Sequence, residues 1–347
     1  MKPLASQVIV ITGATSGIGL ATARMAARRG AKVVLAARNG AALERLAEEL
    51  RRSGARALAV PADVGVAKQV TALGNAAVAH FGRIDTWINN AGTSIYGRLD
   101  QVPLADQERL FRTNFWGVVH GSLMALRLMK YHCGTIINLG SELSDRAAPL
   151  QGMYSASKQA VKGFTDALRM EIDQARLPLS VTLVRPSGID TMLTAHARND
   201  MAADPELPAP LFAPEVVAEA ILHSAQHGPR DVFVGLAARL VSLGANRVPR
   251  TLDRLMRAFA FRQQQSGARA RAGRHDALFQ PRGPELQERQ GGHRSRVHET
   301  SLYTFLATRG KPLVAPLCVA TALVAAWALH SIFSRRQSGA AARADIL

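Results

Sequence analysis

Seven short apolar runs, most followed by a stretch with helical spacing, constrain this chain more than any other feature of it. The runs are residues 8–11, 32–36, 57–60, 85–88, 135–139, 180–184 and 231–234. The helix-like stretches are 18–29, 41–52, 66–80, 104–131, 153–175 and 214–225, the last opened by Pro214 at a favoured first-turn position. Strands that are apolar throughout, rather than alternating, are buried on both faces. Alternated with helices, they imply a parallel sheet covered on both sides. The expected architecture is therefore one α/β, doubly wound, seven-stranded parallel sheet, complete by about residue 236. An apolar fraction of 48% supplies the core that such a sheet needs. The run at 8–11 is too short for the apolar region of a signal peptide and reads as a buried strand.

The first run leads straight into Thr12-Gly13-Ala14-Thr15-Ser16-Gly17-Ile18-Gly19. Glycines at a strand-to-helix junction let the backbone turn tightly and come close to a pyrophosphate, and the helix N-terminus adds free N–H groups and a positive dipole end. The spacing is Gly-x-x-x-Gly-x-Gly, so taken alone it leaves open a glycine-rich turn without a ligand. Other residues narrow the choice. Asn89-Asn90-Ala91-Gly92 follows the fourth run and Asn114 lies in the next helix. Ser141 follows the fifth run, thirteen residues ahead of Tyr154, and Lys158 stands four residues after Tyr154 on the same helix face. Each has an ordinary structural reading: a helix bend, a turn, a core aromatic, a solvated charge. The set, in this order and at these spacings, does not.

In these residues the chain resembles the short-chain dehydrogenase/reductase family, over about residues 5–236. The resemblance implies a Rossmann fold and an NAD(P)-dependent oxidoreductase with a small-molecule carbonyl or alcohol substrate. It maps Asn114, Ser141, Tyr154 and Lys158 onto the family's catalytic tetrad. It assigns Gly13, Thr15, Ser16, Gly17, Ile18 and Gly19 to the dinucleotide, and Asn90, with Ala91 and Gly92, to supporting the central sheet and the cofactor pocket. Asp63-Val64 resembles the adenine-edge contact. Pro186, Ile189 and Thr191 match the stretch that meets the nicotinamide, with Ser187 where glycine is usual. Chemically, Tyr154 would protonate a carbonyl oxygen while Ser141 holds it. Lys158 would lower the phenol pKa and hold the nicotinamide ribose, and Asn114 would position a relay water. A non-catalytic cofactor-sensing protein is an alternative, though it would not require Ser141, Tyr154 and Lys158 together.

The second run ends in Ala36-Ala37-Arg38, with no acid to bond a ribose 2′-hydroxyl. A guanidinium suits a 2′-phosphate, so NADP is expected over NAD. An NAD-linked alcohol dehydrogenase with Arg38 as a solvated charge is the competing reading. The segment 192–212 is expected to cover the substrate, with His196 a lid residue rather than a catalyst.

The last third differs in composition. Lys plus Arg exceeds Asp plus Glu by 43 to 26, and thirteen Arg fall between Arg239 and Arg296. They lie among Gln, Gly and Ala without the aromatic residues that stack on bases, so no nucleic acid is expected. A helix is expected over 251–262, with Leu252, Leu255, Met256 and Phe259 on one face and Arg254, Arg257 and Arg262 off it. Residues 263–300 read as a mobile linker. Residues 313–333 carry no Asp, Glu, Lys or Arg and are long enough to span a bilayer, although Pro316 and the alanines leave a core or interfacial helix open. The organisation expected is a catalytic domain at 1–238, a basic extension at 239–308 and a membrane anchor with a short tail at 309–347. Membrane lipid is then a partner, the catalytic domain faces the cytoplasm, and a homo-oligomer is left open. Cys133 and Cys318 suit neither a disulfide framework nor a zinc site, and no metal is expected.

Overall fold

The computed structural model describes residues 1–270, 275–281, 286–293 and 296–309. Seven parallel strands form the central sheet: β1 (Val8–Thr12), β2 (Lys32–Ala37), β3 (Ala57–Pro61), β4 (Thr86–Asn89), β5 (Gly134–Leu139), β6 (Leu179–Pro186) and β7 (Asp231–Val234). Their order across the sheet is β7-β6-β5-β4-β1-β2-β3. The order reverses between β1 and β4, and in such sheets ligands bind beyond the carboxyl ends of the strands at that crevice. Nearly all residues of the four central strands β1, β4, β5 and β6 are buried, as continuous apolar runs require.

The helices covering the sheet are α1 (Gly17–Arg28), α2 (Gly40–Arg52), α3 (Ala67–Phe81), α4 (Leu104–Phe111), α5 (Gly117–Met129), α6 (Gly152–Gln174) and α7 (Pro214–His227). Between α4 and α5 the rod widens into one π-turn, Arg112–Trp116. A buried polar chain ties α5 and α6 to the sheet. The Trp87 indole donates to Asn89 Oδ1 (2.9 Å), Asn89 donates to Ser122 (3.0 Å) and Asn138 (2.8 Å), and Asn138 donates to Thr165 (3.0 Å). Because each member has a partner, the network fixes helix position without leaving a costly orphan.

Past β7 the chain continues into α8 (Leu236–Arg247), which the sequence reading did not anticipate. The helix expected over 251–262 is instead α9 (Pro249–Leu255) followed by a π-turn, Met256–Ala260, and one further turn at Phe261–Gln263. The mobile-linker reading does not hold for the described parts of 263–300, which are bonded to the catalytic domain. Gln265–Arg269 pairs antiparallel with Ala203–Pro205, and Val297–His298 pairs with Leu211–Phe212. The helix Leu302–Arg309 lies against β7 and α7. The 313–333 stretch lies outside the described residues. Among the described residues no helix is long and apolar enough to cross a membrane.

Candidate functional site: a catalytic cleft under a strap

At the carboxyl ends of β4 and β5 the sheet carries Ser141 and faces α6, which brings up Tyr154 and Lys158. Ser141 has an extended backbone and caps a short 3-10 turn; its Oγ accepts from the Leu143 N–H at 3.1 Å. That bond fixes the hydroxyl in place, and Ser141 is close enough to the Tyr154 phenol to pull its pKa down. Lys158 donates from Nζ to the Leu139 carbonyl at 2.8 Å and lies 5.8 Å from the Tyr154 ring centroid. Asn114 occupies the π-turn and is fully buried. Its Oδ1 accepts from the Thr93 N–H (2.8 Å), while Nδ2 donates to the Thr93 carbonyl (2.9 Å) and to Ser157 Oγ (3.2 Å). A π-turn in a long helix often marks a functional position.

The electrostatics differ from the sequence expectation. Burial pushes the Tyr154 phenol up to about 12, outweighing the Ser141 hydrogen bond, and the nearby Glu142 adds to the rise. The same burial pushes the Lys158 ammonium down to about 8. Lys158 bonds a backbone carbonyl rather than the phenol oxygen, so it does not overcome desolvation of Tyr154 here.

The glycine turn lies beside this group. Gly13 has φ +67°, and a Cβ there would stand 2.8 Å from Ala91 Cα. On Gly19 a Cβ would meet the Gly13 carbonyl oxygen at 2.1 Å. Only glycine lets strand, helix and the Asn90 loop close this tightly. Asn90 Nδ2 donates to the Thr12 carbonyl at 2.9 Å, and its backbone N–H reaches Thr12 Oγ1, tying β4 to the turn. Thr191 reaches the same turn: a Cβ on Gly17 would lie 3.1 Å from Thr191 Cβ. Gly13, Ser16, Gly17, Ile18, Asn90, Ala91, Gly92, Ser141, Tyr154, Lys158, Pro186, Ile189 and Thr191 all line one cavity of about 540 Å³. Thr15, Arg38, Asp63 and Val64 line a smaller adjoining one of about 120 Å³ that shares Gly13, Ser16, Ala91 and Gly92. All of the sequence-predicted site residues except Gly19 and Asn114, which line neither cavity, are thus brought together along one groove, from Arg38 past the glycine turn to Tyr154. A turn that admits no Cβ, opening on a helix N-terminus, fits a dinucleotide pyrophosphate, and two guanidiniums at the far end fit its adenosine half.

Three parts of the site were not anticipated. Arg109 from α4 joins Arg38, donating to Asp63 Oδ2 (2.6 Å) and to the Leu278 carbonyl (3.0 Å). Burial pushes the Asp63 carboxyl upward, but the Arg109 bond, the Gly65 N–H and the charge of Arg38 prevail and hold it below the usual carboxylate range. The far wall of the large cavity comes from the extension: Leu255, Met256, Phe259, Ala260, Gln263 and Gln264. And the extension returns as a strap. Arg38 donates to the carbonyls of Leu278 (3.0 Å), Phe279 (3.1 Å) and Ala277. The Gly17 N–H donates to the Gln287 carbonyl at 2.9 Å. Asp190 Oδ1 accepts from the Gln290 and Gly291 N–H groups (both 3.1 Å) and bonds His293 Nε2 (2.8 Å). Backbone carbonyls carry most of these contacts, so no side-chain pattern announced them. Arg109 had no signal either.

Comparison with known proteins agrees with this geometry. The family model described as short chain dehydrogenase matches residues 7–202. The uncharacterized oxidoreductase YxnA of Bacillus subtilis is 40% identical over 334 residues, covering 94% of this chain and 91% of the relative. So broad a match runs well into the extension. A short chain dehydrogenase/reductase from Burkholderia phymatum, solved in complex with NAD, superposes with a TM-score of 0.65 at 26% identity, covering 74% of this chain and 97% of that one. A short chain dehydrogenase from Burkholderia cenocepacia, solved in complex with NADP, gives a TM-score of 0.62 at 25% identity, with 74% and 99% covered. With more than half of its residues under the family model and its sheet, groove and relatives in accord, the chain belongs to the short-chain dehydrogenases, oxidoreductases that act on CH–OH and C=O groups with NAD(P).

Proposed function

We infer that this protein is an NADP-dependent oxidoreductase of lipophilic carbonyls or alcohols, working at a membrane surface. The observation that carries the reading is the meeting of Ser141, the Tyr154 hydroxyl and Lys158 in a largely apolar cavity of about 540 Å³. When bound, the nicotinamide supplies or accepts the hydride. The chain's own residues manage the proton. Tyr154, kept protonated by burial, gives its proton to the substrate oxygen in the reducing direction. Ser141, anchored by the Leu143 N–H, holds that oxygen and meets its developing charge. The Lys158 ammonium stabilises the phenolate that forms and would hold the nicotinamide ribose. Asn114, locked by Thr93 and Ser157, orders the inner end of the relay to solvent.

NADP is supported by the missing acid after β2 and by Arg38 and Arg109 together at the adenosine end. Lipophilicity is supported by the cavity wall of Leu143, Leu207, Val241, Met256 and Phe259. At its mouth Leu255 and Phe259 are 48% and 57% exposed, beside the exposed Arg254, Arg257 and Arg262. An apolar rim with cations suits an anionic lipid surface. The uncharged 313–333 stretch would then be a single-pass anchor, with the catalytic domain on the cytoplasmic side. NADPH consumption against carbonyls graded in hydrophobicity, in detergent, tests the reaction. Rates that do not rise with hydrophobicity, or that favour NADH, would overturn the substrate or cofactor part. For the anchor, full-length protein should resist both salt and alkaline carbonate washes of membranes. Release by salt alone would leave only the basic surface attachment.

A further inference from the structure

Glu142 is the residue next to Ser141, and it opens the short turn that Ser141 caps. Glu142 lines the large cavity along with Leu143, Ala148, Tyr154, Met256 and Phe259. Protein crowds it closely, although the residue keeps part of its surface exposed. Among the described residues it has no hydrogen-bond donor and no cationic partner, and burial alone pushes its pKa up to about 7. The other acids nearby are matched: Asp145 bonds Arg185 and Lys162, and Asp253 pairs with Arg146. A carboxyl left without a donor in an apolar wall is expensive, and leucine or methionine would line the same space at less cost. Nor does the relay described above use it. Its negative charge opposes formation of a Tyr154 phenolate.

We propose that Glu142 is a specificity-determining residue: it accepts a hydrogen bond from a hydroxyl or ammonium group that the substrate carries close to its reacting carbonyl. Glu142 is adjacent in the chain to the residue that holds the carbonyl oxygen, so the donor must lie within a few bonds of that carbon. The cavity wall of Leu143, Leu207, Val241, Met256 and Phe259 takes a hydrocarbon chain. The preferred substrates are therefore amphiphilic hydroxy- or aminoketones, or the matching alcohols, rather than plain alkyl ketones. This rests on the reductase reading above and adds the polar half of the substrate to it.

The test uses the full chain in detergent with NADPH bound, and three matched probes. These are a long-chain methyl ketone, the same ketone with a hydroxyl on its methyl carbon, and the same ketone with a dimethylammonium group there. Affinity is read by quenching of NADPH fluorescence, and turnover by NADPH consumption. The wild type should bind at least one donor-bearing ketone about tenfold or more tightly than the plain one, because a site built around a polar group rejects the analogue that cannot satisfy it. Glu142→Gln keeps a hydroxyl acceptor but loses the charge, so it should retain a preference for hydroxyl and lose one for ammonium. Glu142→Leu should lose both, with NADPH binding as the control for its fold. Equal affinity of the wild type for all three probes, or a preference that survives in Glu142→Leu, overturns the proposal. Preferential binding without NADPH consumption would leave Glu142's role standing and overturn the reductase reading instead.

Discussion

The two ends of the cofactor groove are built from different parts of the chain. The end proposed as catalytic is made of side chains just after β5 and on α6, with the π-turn behind them, all within the family-like portion. The end proposed for the adenosine has Arg38 and Asp63 from that portion, but Arg109 braces it and a strap drawn from residues 277–281 and 286–293 is bonded across it. Side chains bound at one end can be read by type and spacing. Backbone bound at the other has no type. The contrast predicts that substitutions at the first end change the chemistry, while those at the second change how the nucleotide is chosen and kept.

The largest effect should come from Tyr154→Phe. It removes the proton donor and keeps the ring packing, so kcat should fall on the order of 100-fold or more with NADPH affinity nearly unchanged. Turnover near wild type would remove Tyr154 from its role and dissolve the contrast at its catalytic end. Next comes Arg38→Asp, which exchanges a phosphate partner for a repelling acid. The NADPH-to-NADH affinity ratio should drop by roughly 30-fold, taken as about 2 kcal/mol for a charge-assisted contact. An unchanged ratio, measured from both dissociation constants, would mean that the strap carbonyls are the sole partners of Arg38.

Asp190→Ala sharpens the comparison further. Asp190 fastens the strap through three bonds, and its loss should speed NADPH release about tenfold, a cost near that of one charged hydrogen bond. Stopped-flow displacement reads this directly. Slower release would mark the strap as a competitor for the nucleotide's donors rather than a cover over them.

The smallest effect concerns stability at the catalytic end. Glu142 has an ordinary value of 4.5 and is pushed up to about 7 in the folded chain. The folded state therefore binds the proton more tightly, and this contribution to stability is full below the ordinary value and lost as pH rises through the folded one. Glu142→Gln should raise Tm by a few degrees near pH 8, roughly 1 kcal/mol after allowing for solvent reaching the carboxyl, and by almost nothing near pH 5. Equal shifts at both pH values would show that the carboxyl is not held out of water.

The same division explains what could be read before the fold was known. Seven strands and the glycine turn were legible because burial on two faces and tight turns each demand particular residue types, and the meeting of Ser141, Tyr154 and Lys158 in one cavity was legible from their order, their spacing and the family these resemble. The apolar stripe of Leu255, Met256 and Phe259 was legible as a face, but not as a wall of the large cavity, since periodicity says nothing about what the face meets. The strap read as a linker because Gln, Gly and Arg are what a solvated segment also contains. Its order comes from main-chain atoms meeting Arg38, Gly17 and Asp190. The lowering of the Tyr154 pKa was expected from charge alone, whereas here desolvation dominates.

The π-turn at Arg112–Trp116 has a bearing on how this chain can change. A π-turn holds one residue more than the helix on either side requires, so it is in effect an insertion that the fold has kept. Deleting a residue there would restore a regular helix with α5 still in phase, whereas deleting one from the regular turn that follows it would turn everything beyond by about 100°. Gly121, where a Cβ would lie 2.0 Å from Asn89 Oδ1, would leave its place against β4, and Ser122 would lose Asn89 and Asn138. The length of this rod beyond the π-turn is therefore fixed to the residue, while the irregularity that carries Asn114 absorbs the one extra residue that would otherwise turn α5 out of phase with the sheet.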